Sequence, residues 1–198
     1  MKVVCWVVMI LVVLPALCMG GERQNYSTAC EFGNSPATKL VGTLGCVLVG
    51  AGVGLGAHEA SHALLGGGDL HWSGANWKCP QCTAGRAQTI GLAGFTTQAV
   101  ANEALLLFDV PREHPVVGGF MLWNILNPLA YVIRSELAGS EGTGDLATFH
   151  DSQQRRAVEG VLVGVALLQA ARMTLDDRFP LFIQTTGRDV VAVLQFKF

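Results

Sequence analysis

The chain has 198 residues, room for one domain or for a domain behind an export segment. Hydrophobic residues make up 51% and charged residues only 14%, where a soluble domain carries about 25% charged residues, and the mean hydropathy is +0.41. With a net charge of -2 and no basic stripe, the composition argues against a nucleic-acid partner and for a lipid one.

In chain order, residues 1–20 read as a signal peptide or an uncleaved anchor. Lys2 supplies the positive start, Val3 to Leu14 the apolar stretch, and Pro15 the break before small residues. Residues 21–39 are polar and turn-rich, a surface linker that includes the sequon Asn25-Tyr26-Ser27. The membrane-embedded domain is expected over 40–180, with a tail over 181–198.

The first long apolar run spans Leu40 to Leu65, enough to cross a bilayer as a helix. It is rich in glycine, and Gly50/Gly54 and Gly52/Gly56 sit at the spacing that lets membrane helices approach closely. Gly66-Gly67-Gly68 ends it. Residues 69–87 form a polar loop whose Trp72 and Trp77 suit an interfacial hairpin. Within it, Cys79-Pro80-Gln81-Cys82 reads as a disulfide, half a zinc site or a redox pair. Of the other cysteines beyond the signal segment, Cys46 reads as a small core residue, and Cys30 has no assignment.

Three further apolar stretches follow, at Thr89 to Phe108, Val116 to Ile133 and Ala157 to Ala171, the last short for a span. Gln98, Asn102 and Glu103 in the second require one side to face protein, and Gln98 and Asn102 suit interhelical hydrogen bonds. The closing "DVVAVLQFKF" alternates like a short strand. The predicted fold class is therefore all-α, a polytopic membrane bundle of three to four apolar helices after the N-terminal segment, with a short C-terminal strand.

The chemistry concentrates in His58-Glu59-Ala60-Ser61-His62, an H-E-x-x-H pattern at the end of an uncharged apolar run. On a helix, positions i and i+4 share a face, so both imidazoles can bind one zinc. Glu59 is then placed to take a proton from a metal-activated water, whose pKa zinc lowers to about 7. Burying these groups in lipid without a metal or partners is unfavourable. The third ligand is open among Asp145, Glu103 and the histidines His71, His114 and His150. Asp145 ranks first because it follows a Gly-rich turn after the third apolar stretch, although an Asp there also suits a helix N-cap. The loose dinucleotide fingerprint Gly52-x-Gly54-x-x-Ala57 lacks the acidic residue it needs about 20 residues on.

The pattern resembles the site-2 protease class of intramembrane zinc metalloproteases. "HEASH" matches that class fully. "GLAGFTTQAVAN" stands where the class has Gly-Pro-x-x-Asn, with Phe95 for Pro and Gln98 for Asn. "NILNPLAYVIRSELAGSEGTGD" resembles its Asn-Pro region, ending in Asp145, which is followed by Leu146 rather than Gly. The resemblance covers residues 40–150. It implies Zn2+ held by His58, His62 and Asp145, with Glu59 as acid/base and Asn127 at substrate backbone or oxyanion. Its substrate would be a membrane-associated polypeptide. Asn127 equally suits an interhelical hydrogen bond. The rival expectation is a non-catalytic membrane scaffold or assembly protein with a structural or vestigial metal site.

Overall fold

The computed structural model describes residues 30, 34–73, 76–107, 114–138, 144–175, 181–186 and 189–194. The expected signal segment and the sequon lie outside these.

Helix α1 spans Pro36–Gly66. It begins ahead of the Leu40 expected from hydropathy because Ser35 caps it, accepting a hydrogen bond from the Thr38 N–H at 3.2 Å, and Pro36 occupies its first turn. Gly67, at φ 57°, terminates it. Its 31 residues give a rod of about 46 Å, longer than the roughly 30 Å of hydrocarbon it would cross. A short hairpin follows, β1 His71–Ser73 against β2 Asn76–Lys78, with Trp72 opposite Trp77.

Helices α2 (Ala84–Leu107), α3 (Pro115–Ala138) and α4 (Ser152–Thr174) complete an all-α helical bundle. A 3-10 turn at Gly144–Thr148 lies between α3 and α4. The tail forms β4 (Asp189–Leu194), paired antiparallel with β3 (Leu181–Thr186), a partner strand the alternation of the tail did not announce.

Among the described residues, three helices are long and apolar enough to cross a membrane: α1, α3 and α4. They expose aliphatic side chains such as Leu48, Val53, Ile133, Val161 and Leu168, as lipid-facing helices do. The stretch at 157–171, short on its own, gains length from the polar turn beginning at Ser152, capped by Asp151 at 2.8 Å from the Gln153 N–H. Helix α2 buries Thr97, Gln98 and Asn102 against its neighbours, the protein-facing side expected of that stretch.

Contact pairs set the directions. Gly50 meets Val116 and Phe120, and Gly54 meets Phe120, Trp123 and Asn124, so α1 and α3 run parallel. A Cβ on Gly54 would sit 2.9 Å from the Trp123 ring and from Asn124 Oδ1, and one on Gly50 would strike the α3 backbone. Gly52 and Gly56, at the same spacing, face open space. His62 meets Ile90 while His58 meets Gln98, so α2 runs antiparallel to α1. Ser135 donates to Glu159 at 2.6 Å, joining α3 to α4. Asn102 bridges three helices: its amide N–H groups donate to the Met121 carbonyl (3.1 Å) and Gln169 Oε1 (3.2 Å), and its oxygen accepts from Asn124 (3.0 Å). The bundle therefore gathers the C-terminal ends of α1 and α3 and the N-terminal ends of α2 and α4 on one side, where H-E-x-x-H lies.

Two disulfides are present among the described residues, Cys30–Cys46 and Cys79–Cys82. Cys46 is thus not a plain core residue. It anchors Cys30, which is 1% exposed, to the second turn-pair of α1.

Candidate metal centre

His58 and His62 lie one helical turn apart on the buried face of α1, each 1% exposed. Their rings meet edge to face at 4.8 Å. Both Nε2 atoms converge on one carboxylate oxygen of Asp145, at 3.0 Å from His58 and 3.3 Å from His62. These three ligand atoms all lie within 4.8 Å of one another, and the group could hold a metal ion. For comparison, the edge of a tetrahedron around zinc with bonds of 2.0–2.1 Å is about 3.3 Å.

Asp145 reaches the imidazoles because of the turn that carries it. Gly144 stands at φ 55°, a conformation that disfavours side chains, and a Cβ there would press on the Tyr131 ring. The turn is pinned from within, since Thr148 Oγ1 donates to the Asp145 carbonyl at 2.7 Å. Leu146 and Phe149 bury themselves beside Phe95 and hold it against the bundle. Burial works against the charge of Asp145, but the hydrogen bond from His58 and the neighbouring His62 imidazole outweigh it and hold the carboxyl down at about 2. Asp145 is ionised at neutral pH.

The hydrogen bonds on the far side of each ring decide which nitrogen is free. A carbonyl oxygen only accepts, so His62 Nδ1 carries the proton it donates to Ile90 at 2.7 Å. His58 Nδ1 donates to Gln98 Oε1 at 3.1 Å, and Asn127 donates to the same oxygen at 3.1 Å. Without a metal, the ionised Asp145 oxygen accepts from His58 Nε2 at 3.0 Å, while His62 Nε2, 3.3 Å from the same oxygen, is a buried polar atom with no hydrogen bond among the described residues. A divalent cation would take the place of the proton between these nitrogens and the carboxylate, and with the two Nδ1 atoms engaged by Gln98 and Ile90 the donor set fits such a metal.

Close packing supports the rings as well. A Cβ on Gly94 would land on the His58 imidazole, and one on Gly91 would come within 2.8 Å of the Asp145 carbonyl oxygen. Phe95 packs edge-on to His58 at 5.1 Å, and Tyr131 packs on Phe95 at 5.1 Å. The Tyr131 hydroxyl also interacts with Asp145.

The remaining candidates fall elsewhere. Glu103 is paired with Arg172 and accepts from Gln169 at 3.2 Å, three helical turns along α2 from Gly91. His71 and His150 are exposed. His114 accepts the Val116 N–H at 3.2 Å ahead of α3. Glu59 is half-buried beside His58, near enough to act electrostatically on His62. Asn127, expected at the substrate or oxyanion or in an interhelical hydrogen bond, makes the latter: its amide donates to Gln98 Oε1 at 3.1 Å and stands 3.4 Å from His58 Nδ1. Gln98, Gly94 and Tyr131 are the residues that motif reading undervalued. The one signal for them was the stretch standing in place of Gly-Pro-x-x-Asn, where Gly94 and Gln98 hold the matching positions.

No protein-family model, curated protein or solved structure matches the chain. The functional reading therefore rests on the geometry of this centre.

Proposed function

We propose that the chain is a zinc-dependent membrane metalloprotease that hydrolyses peptide bonds at or within the membrane. The observation that carries the reading is the convergence of His58 and His62 from α1 and Asp145 from the turn before α4 on one point. Two nitrogens and one oxygen make a set of three protein ligands, the number that catalytic zinc sites use, where structural sites use four.

His58, His62 and Asp145 would hold the metal, and zinc bound there would supply Lewis acidity to polarise a carbonyl and acidify water. The chain's own residues do the rest. Glu59 accepts the proton of the attacking water and returns one to the leaving amine. Gln98 orients His58, Asn127 fixes Gln98, and the Ile90 carbonyl orients His62. His58 and His62 stand 8 and 4 residues before the end of α1, a depth of about 6–12 Å by helical rise, shallow enough for water from one face. An apolar groove of about 440 Å³ beside Phe95, bordered by Asn124, Pro128, Val158 and Leu162, suits an apolar polypeptide segment. Pro128 also lacks the N–H that would bond the Asn124 carbonyl, leaving that acceptor without its intrahelical donor. The two disulfides fit an oxidising compartment and hence an exported chain.

The test uses detergent-solubilised protein. Wild type retains about one zinc per chain, His58→Ala loses it, and Glu59→Gln keeps it while losing cleavage of an apolar peptide. If Glu59→Gln cleaves as wild type does, the acid/base role is wrong. If metal is bound but no variant affects any peptide, the scaffold reading replaces the protease.

A further inference from the structure

The Cys79–Cys82 bridge takes no part in the metal centre, and its surroundings differ from those of the other disulfide. Cys30–Cys46 spans 16 positions and is built into the start of the bundle, with Cys30 1% exposed. Cys79–Cys82 spans only 3. Loop-closure stabilisation grows with the logarithm of loop length, so this bridge is the weaker staple of the two. Its sulfurs belong to half-buried residues, and the intervening Pro80 and Gln81 are exposed. The turn is held independently of the bridge by the Cys82 N–H, which donates to the Cys79 carbonyl at 3.2 Å, so the cysteines stay together when reduced.

The electrostatic setting favours a thiolate there. Cys82 stands two residues before α2, whose first turn carries no acidic residue. Thr83 between them accepts the Arg86 N–H at 3.4 Å. Exposed Lys78 precedes the pair and exposed Arg86 follows it. The start of α2 stabilises negative charge on a nearby sulfur, the condition for a good leaving group and nucleophile, and Lys78 and Arg86 keep the segment basic although the Arg86 guanidinium itself donates to the Gly66 carbonyl at 3.4 Å.

We propose that Cys79–Cys82 is a thiol–disulfide exchange site, open to dithiols in the aqueous layer beside the membrane. A donor thiolate attacks one of the two sulfurs, the S–S bond breaks, and the other sulfur leaves as a thiolate stabilised at the start of α2. The donor's second thiol then displaces the mixed disulfide. Two electrons and two protons pass to Cys79 and Cys82, and the donor leaves as its own disulfide. The reverse sequence oxidises a dithiol. This site stands apart from the peptidase reading and survives its failure.

The experiment equilibrates full-length protein in detergent with graded dithiothreitol, quenches in acid, alkylates, and weighs the cysteine peptides. The 79–82 peptide gains two labels at a dithiothreitol concentration about tenfold or more below that which opens Cys30–Cys46. Opening of both bridges together, or of Cys30–Cys46 first, would overturn the proposal. With Cys82→Ser, glutathione disulfide adds a stable glutathione adduct to Cys79, whereas wild type, once reduced, expels it through Cys82. Absence of that adduct in folded protein would equally overturn it. Neither readout depends on zinc content or on peptide cleavage.

Discussion

At the scale of single residues, the centre depends on which nitrogen of each imidazole is free. Gln98 and the Ile90 carbonyl make that choice by taking the Nδ1 protons. Gln98→Leu would leave His58 free to rotate and leave Asn127 without its acceptor. Loss of such a supporting partner weakens metal affinity roughly 10- to 100-fold, so zinc titration of Gln98→Leu in competition with a chelator should show a drop of that size, with stoichiometry retained at high zinc. Unchanged affinity would mean that Gln98 only joins helices. The carboxylate makes its own prediction for the metal-free protein. Asp145 is held at about 2, below its ordinary 3.8, so its contribution is fully present above that ordinary value and disappears as pH falls through the lowered one. Thermal unfolding of chelator-treated wild type and Asp145→Asn should therefore converge between pH 4 and 2, with a difference of no more than about 2 kcal/mol lost across that window. Divergence toward acid would refute the assignment.

Among the helices, close approach of backbones does the positioning. Gly50 and Gly54 let α1 lie against α3, and Gly94 lets α2 lie against the His58 ring. Gly94→Ala would push His58 from Asp145 or α2 from α1. The expected result is loss of most bound zinc while helicity by circular dichroism stays near wild type. Gly52→Ala, facing open space, serves as the matched control and should keep its zinc. These contacts also show how far sequence alone could reach. The i, i+4 spacing placed two imidazoles on one face, and Gly66-Gly67-Gly68 bounded α1 at its end, while its start at Pro36, capped by Ser35, lies ahead of the Leu40 expected from hydropathy. Spacing could not distinguish Gly50/Gly54, packed on α3, from Gly52/Gly56, which face outward, because both pairs recur at the same interval and differ only in what lies opposite. Nor could it find the hydrogen bond from Asn127 to Gln98, because an amide buried between helices has several possible partners. The Cys30–Cys46 pairing was hidden for the same reason: 16 residues separate the two, and only the path of the chain brings them together.

Across the whole molecule, helix directions bring the site together. Parallel α1 and α3 with antiparallel α2 and α4 place the end of α1, the start of α2 and the turn between α3 and α4 on one side, so that residues 58, 62 and 145 meet although 87 positions separate His58 from Asp145. Hydropathy made the membrane bundle legible, since α1, α3 and α4 are apolar along a full span. It described α2 less well, because that helix faces protein with Gln98 and Asn102. The central claim is that this folding brings one cation to His58, His62 and Asp145. The measurement that tests it most directly is zinc content of purified wild type beside Asp145→Ala, both dialysed against a weak chelator in the same detergent. The account predicts about one zinc per chain in wild type and a loss of most of it in Asp145→Ala with the helical spectrum unchanged. A metal-free wild type, or an Asp145→Ala protein that holds zinc as firmly as wild type, would contradict it.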